Sequence, residues 1–258
     1  MSPTLETAIL VAGAFLAGGI NAVAGGGTII TFPLLVAFGM PAIQANATSA
    51  TALLIGISGS IYGYRKGIAA SWHWIKLFGP ASLAGGLLGA WLLTRTSEKI
   101  FGELVPFLLL FATVLFLAGN AINRWIGANA DPASAHPAHK GAAVLLQFGV
   151  AIYGGYFGAG IGILMLAALA LIGHQDIARM NAIKTLLGAL INSVAAAYFI
   201  WSGLVAWPEA LAMTAGAGLG YYAGARIGTG IRPELVRRLV ILIGLALSAT
   251  FFWRTFLG

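Results

Sequence analysis

Apolar runs fill this chain almost from end to end, at roughly 5–24, 28–38, 44–63, 72–93, 101–122, 141–157, 159–172, 180–200, 208–228 and 235–256. Apart from the runs that flank two glycine breaks, six are long enough to cross a bilayer as full spans, which takes about 20 residues. Only 8% of the 258 residues are charged, where a soluble domain carries about 25%. Strand-length alternation is absent, so an outer-membrane barrel is excluded. The expectation is an all-α integral membrane protein, multi-pass, in the inner (plasma) membrane. Met1 to Thr7 carries no basic residue ahead of the first apolar run, so that run reads as retained structure and not as a signal peptide.

The punctuation of the runs is duplicated. The first pair is divided by Gly25-Gly26-Gly27, and its short second piece stops at Phe38-Gly39-Met40-Pro41. A second pair is divided by Gly158-Ala159-Gly160-Ile161-Gly162 and stops at Gly173-His174. Gly18-Gly19 matches Gly154-Gly155, Asn46-Ala47 matches Asn181-Ala182, Gly67 matches Gly203, Gly85 and Gly89 match Gly220 and Gly224, and Glu98 matches Glu234. The offset stays within 134–136 residues, so the chain is two copies of one unit, 1–123 and 141–258. Residues 124–140, RWIGANADPASAHPAHK, read as a polar linker between them.

Each copy holds three full spans plus a glycine-broken pair of the re-entrant type. If the pair enters and returns, each copy crosses an odd number of times and the two are inverted. Inversion places Arg65, Lys66, Arg124, Lys140, Arg179, Arg226, Arg232, Arg237 and Arg238 on one side, and only Arg95, Lys99 and Arg254 on the other. That is nine against three, where the better parallel arrangement gives seven against five. The positive-inside rule favours inversion.

Backbone broken at membrane depth has N–H and C=O groups that lipid cannot satisfy, so it survives only beside protein or a watery cavity. Paired breaks in two halves point to a transporter's binding site. A helix restarting after a break also offers free N–H groups and a positive dipole end to an anion. Gly25, Gly26, Gly27 and Thr28 form one such start, and Gly158, Gly160 and Gly162 the other. Small residues also let helices approach closely, and that reading suits Gly85, Gly89, Gly220 and Gly224. The following segments open with Gln44, Asn46, Thr48, Ser49 and Thr51 in one copy and Asn181, Lys184 and Thr185 in the other. Under inversion these starts can meet near the midplane, hydroxyls facing an ammonium, as donors for an oxyanion. A serine or threonine can instead bond its own helix carbonyl.

Lys184 stands out. A lysine in hydrocarbon costs roughly 2.5–3.5 kcal/mol on the lenient insertion scale and so faces a cavity or a partner. Snorkelling to the headgroups is the other placement open to it. Asn181, Thr185, Asn192 and Ser193 give it polar company on its own run.

The run Gly18-Gly19-Ile20-Asn21-Ala22-Val23-Ala24-Gly25-Gly26-Gly27-Thr28-Ile29-Ile30-Thr31-Phe32-Pro33, followed by Asn46-Ala47-Thr48-Ser49, resembles the sulfite exporter TauE/SafE family. Through the duplication the resemblance extends over about 13–256. In the second half Gly158-Ala159-Gly160 replaces the glycine triple. The resemblance implies outward movement of small sulfur-containing anions such as sulfite, sulfoacetate or other organosulfonates, and it adds Asn21 to the candidate ligands. Residue chemistry by itself supports a small anion.

Absences narrow the mechanism. Asp131 lies in the linker, and Glu6, Glu98, Glu103, Asp176, Glu209 and Glu234 lie at run ends, so no carboxylate is placed mid-span to relay protons or sodium. Gradient-driven movement, or coupling through protonation of the anion itself, is expected. There is no P-loop. No cysteine is present, which removes disulfide and thiolate chemistry. His136 and His139 lack further ligands nearby for a metal. No cofactor or metal is expected, and the basic residues are spread between spans instead of forming a nucleic-acid patch. The bilayer and a small anion are the expected partners, with a homo-oligomer left open. His73 between Trp72 and Trp74 reads as interfacial, and Tyr153 and Tyr156 at the second break either gate the cavity or pack. An alternating-access anion permease is the first reading. An anion channel, a permease for another small organic anion, and a membrane-embedded enzyme are the alternatives.

Overall fold

Backbone groups in hydrocarbon must bond within their own segment, and each apolar run is helical over most of its described residues. The computed structural model describes residues 2–23, 26–128, 137–170, 177–227 and 233–257, and among them are ten helices and no strand. They are α1 (Pro3–Val23), α2 (Thr28–Ala37), α3 (Ala42–Ala70), α4 (Trp72–Arg95), α5 (Glu98–Ala128), α6 (Pro137–Tyr156), α7 (Ile161–Ala170), α8 (Ile177–Trp201), α9 (Trp207–Ile227) and α10 (Pro233–Phe256). Five, α1, α4, α5, α8 and α10, combine the length and hydropathy needed to cross a membrane. Four of the six full spans expected from the apolar runs, α4, α5, α8 and α10, are among them, and α1, an arm of the first glycine-broken pair, is the fifth. α3, α6 and α9 match them in length, at 29, 20 and 21 residues. The expected linker is helical at both its ends, because α5 runs to Ala128 and α6 begins at Pro137.

Each copy opens with a hairpin of unequal arms. α1 has 21 residues and α2 has 10, so at 1.5 Å per residue the return arm reaches only about 15 Å. A Cβ on Gly13 would meet Leu34, and one on Gly27 would meet the Ala17 carbonyl, so the arms run antiparallel. α6 and α7, of 20 and 10 residues, repeat the design.

The closest helix contacts cross between the copies. Along α9, Gly216, Gly220 and Gly224 face the carbonyls of Val11, Phe15 and Gly19 on α1, one contact per turn and both helices in the same direction. A Cβ at Gly220 would sit 2.0 Å from the Phe15 oxygen, so only glycine fits. α4 and α6 pack the same way, with Gly85 on the Phe148 oxygen and Gly89 on the Ile152 oxygen. The packing role expected for these four glycines is what the structure shows. α1 and α9 are therefore fastened together, as are α4 and α6, each pair joining a helix of one copy to one of the other.

Corresponding helices of the two copies also meet. The Ala206 N–H, just beyond α8, donates to Thr48 near the start of α3, while Gly67 near the end of α3 meets Ala182 near the start of α8. Those helices run antiparallel. So do α5 and α10, whose contacts progress from Gly119 with Arg237 through Thr113 with Gly244 to Phe107 with Phe252. The groups that result are α1, α2, α3 and α9 on one side, and α6, α7, α8 and α4 on the other, with the α5–α10 pair beside both. Phe32 of α2, fully buried, sets its ring edge-on to Phe157 in the second break at 5.5 Å and ties the hairpins together.

Candidate functional site

Both breaks need glycine. Gly26 has φ +95°, Gly158 +83° and Gly160 +79°, the left-handed region that side chains with a Cβ avoid. At the first break the Gly27 N–H donates to Asn21 Oδ1 at 2.9 Å, and Asn21 Nδ2 donates to the Tyr221 hydroxyl at 2.7 Å. One amide so closes the start of α2 and holds it to α9. At the second break the Tyr153 hydroxyl donates to the Ala159 carbonyl at 2.7 Å. Asn46 Nδ2, from α3, donates to the Tyr156 carbonyl at 3.0 Å. Tyr156 itself points its hydroxyl to Thr96 at 3.3 Å. Both tyrosines are thus structural supports of the break.

The two breaks converge on one stretch of α5. Gly160 lies against Ala112 and Leu115, and Gly26 against the ring of Phe116. Between them opens a cavity of about 540 Å³, a size suited to a small ligand. α3 contributes Asn46, Ala50, Leu53, Leu54 and Ile57, and α8 contributes Met180, Asn181, Lys184, Thr185, Gly188 and Asn192. Asn21, Gly26, Thr28, Tyr221, Gly158, Gly160 and Gly162 complete the polar wall together with Tyr64 and Arg237. Two cationic side chains line it, and no described lining residue is acidic.

Lys184 is in the wall and not at the headgroups. Its stem lies over Gly162, where a Cβ would come within 3.3 Å of its Cδ. No described residue forms an ion pair or hydrogen bond with it. Gly162 is the second residue of α7, so the ammonium stem crosses that helix's N-terminus. The N–H groups of Ile161 and Gly162 have no backbone acceptor among the described residues, Ile163 being the first to bond, to the Gly160 carbonyl at 3.1 Å. At the first break, by contrast, Gly27 is already capped, and Ile29, Ile30 and Thr31 are bonded to Gly26 and Gly27. The second break, with its incomplete glycine triple, is the more open to an anion.

Of the residues expected to bind ligand, Lys184, Asn21, Gly26, Thr28, Asn46, Gly158, Gly160, Asn181 and Thr185 line the cavity. Gly27 does not, because it is spent on the Asn21 cap, and Gly25 lies outside the described residues. Thr48 and Ser49 correct the expectation of hydroxyls facing the ammonium. Thr48 is fully buried and accepts from the Ala206 N–H, and Ser49 lies 2.6 Å from the Thr31 hydroxyl. They project from other faces of α3 than Asn46. His136 lies outside the described residues, and His73 is exposed against Trp74.

Arg237 was expected only as an orienting charge at the head of its run. It sits on α10, donates from Nε and Nη2 to the Phe116 carbonyl, and reaches the cavity beside Gly119. The signal was available in the helical period, since Arg237 and Arg238 differ by 100° around α10 and only one of them stays exposed.

The chain is similar to proteins named as membrane transporters. A family model described as "Sulfite exporter TauE/SafE" matches residues 10–251. A "Probable membrane transporter protein" of Haemophilus influenzae is 29% identical over 256 residues, covering 94% of this chain and 92% of its own length. One from Sinorhizobium sp, "ORF9", is 27% identical over 93% of this chain and 90% of its own. The Escherichia coli K12 protein "YfcA", named in the same way, is 27% identical over 93% and 87%. No solved structure matches the chain.

Proposed function

The chain belongs to the sulfite exporter TauE/SafE family and is a multi-pass membrane transporter, and on that premise we propose that it carries small sulfur-containing oxyanions outward across the inner membrane by alternating access. One observation carries the reading: a cavity at the meeting of two backbone breaks, lined by Lys184 and Arg237 and by no described carboxylate. A cation there would meet two like charges in a medium that screens poorly, whereas an anion gains attraction from both. The oxyanion sits at the start of α7, accepting from the N–H groups of Ile161 and Gly162 and from the Lys184 ammonium, as anions do at helix N-termini. Sulfite, sulfoacetate and other organosulfonates fit the volume and the donor-rich wall.

The two copies are inverted in the bilayer. The antiparallel register of α3 with α8 and of α5 with α10 supports this, because copies related by an axis in the membrane plane point corresponding helices in opposite directions. The same directions bring Arg65, Lys66, Lys140, Arg179 and Arg238 to one end and Arg95, Lys99 and Arg254 to the other, and the first end faces the cytoplasm. The sequence copies themselves are not the moving bodies. α9 is fastened to α1 and α4 to α6, so the group α1, α2, α3, α9 rocks against the group α6, α7, α8, α4, across the α3–α8 contact.

Counterflow in proteoliposomes tests this. Vesicles loaded with unlabelled sulfite, sulfate, sulfoacetate or taurine are diluted into labelled solute. Saturable overshoot with a sulfur oxyanion is expected; flux that neither saturates nor exchanges would identify a channel.

A further inference from the structure

Asn46 has an unspent half. Its side chain is 1% exposed, its Nδ2 donates to the Tyr156 carbonyl, and its Oδ1 has no partner. The amide cannot simply turn over, since that would set its carbonyl against the carbonyl of Tyr156. Asn21, at the other break, shows the contrast, because both ends of its amide are used. Buried polar atoms are nearly always bonded, and leaving one unpaired costs about 1–3 kcal/mol. Asn46 belongs to the wall of the cavity that holds Lys184. An acceptor with no donor, in a cavity otherwise rich in donors, defines what the occupant must bring.

We propose that Asn46 Oδ1 accepts a hydrogen bond from the transported solute, so that the site selects oxyanions bearing an O–H or N–H close to the negative group. This rests on the anion-permease reading above and narrows it to hydroxy- or aminoalkyl sulfonates and singly protonated inorganic oxyanions. A metal cation is the other natural partner of a lone carbonyl oxygen, but Lys184 and Arg237 line the same cavity and repel it. The other buried orphan among the described residues, Ser71 Oγ, lies in the α3–α4 turn, away from the cavity lining, and offers no competing acceptor there.

The test is a matched pair of solutes. 2-Hydroxyethanesulfonate and propane-1-sulfonate have the same chain of heavy atoms, with a hydroxyl in one replaced by a methyl in the other. Wild-type counterflow should favour the hydroxylated solute at least about tenfold, and Asn46→Leu should bring the ratio near one. The ratio is insensitive to a general loss of rate from the missing bond to Tyr156. Equal wild-type rates overturn the proposal, even if Asn46→Leu fails to insert. A ratio that survives in Asn46→Leu overturns it as well, as does flux that needs sodium and ignores the hydroxyl. Sulfite counterflow that rises as the singly protonated form is lost at higher pH, with neither sulfonate carried, would end this inference but leave the permease standing. No counterflow with any anion would end both.

Discussion

At the scale of the residue, the central charge is Lys184. Removing its ammonium should leave folding intact, because no described side chain depends on it, while the anion loses its strongest attraction in a poorly screened cavity. Lys184→Ala is expected to insert at wild-type levels and to lose counterflow by at least about 100-fold, the scale of 2.7 kcal/mol. Lys184→Arg should retain a fraction of the rate, as the charge stays but its shape changes. 2-Hydroxyethanesulfonate counterflow in matched vesicles measures both, and unchanged flux in Lys184→Ala would remove the residue from the mechanism. Lys184 was legible in the sequence because a lysine inside an apolar run has few explanations. Arg237 was not, because an Arg-Arg pair at the head of a run reads as an orienting charge. Thr48 and Ser49 show the opposite failure. Polarity at a helix start suggested ligands, but the lining of α3 follows Asn46, Ala50, Leu53, Leu54 and Ile57, the i, i+4, i+7, i+8, i+11 stripe, and excludes both.

At the scale of the element, the two kinds of glycine should respond differently to the same substitution. Gly26 combines φ +95° with a Cβ position 2.6 Å from the flexible ring of Phe116. Gly26→Leu is expected to insert, to lose about 1–3 kcal/mol of stability from the strained backbone, and to lose transport by pushing Phe116 and filling the cavity. Gly220 is helical, but its Cβ would meet the Phe15 carbonyl at 2.0 Å, an atom that cannot yield without parting α1 from α9. Gly220→Leu should therefore fail to give a stable protein at all. Thermal unfolding in detergent together with counterflow separates them: a stable Gly220→Leu would contradict the seam. The positions of both breaks were readable from glycine and the repeat offset. The distinction between an anion start already capped, at α2, and one left open, at α7, was not. It depends on where Asn21 points, six residues back along α1, and such side-chain direction is set by tertiary packing.

At the scale of the whole molecule, duplication was readable but the exchange of helices between copies was not. A constant offset says that two units exist; it does not say which faces of them meet. The glycine ridges of α9 and α4 contained that information, because small residues at every fourth position mark a close neighbour without naming it. The exchange decides which contacts must change during transport, and the absence of native cysteine makes this testable with engineered pairs. A Cβ on Gly67 of α3 would lie 2.9 Å from the Ala182 Cβ of α8, across the boundary between the two groups proposed to rock. Thr31 and Ser49 place their hydroxyls 2.6 Å apart on α2 and α3, inside one group. The first pair needs only a small adjustment to reach the 3.5–4.5 Å Cβ separation of a disulfide, and in the second the side-chain tips already touch. Oxidised Gly67→Cys/Ala182→Cys should stop 2-hydroxyethanesulfonate counterflow and recover it on reduction, while oxidised Thr31→Cys/Ser49→Cys should continue to transport. 2-Hydroxyethanesulfonate is the solute of choice, since sulfite itself cleaves disulfides. Full transport through the oxidised α3–α8 bond would mean that this contact stays fixed, and the moving boundary would then have to lie at the α5–α10 pair.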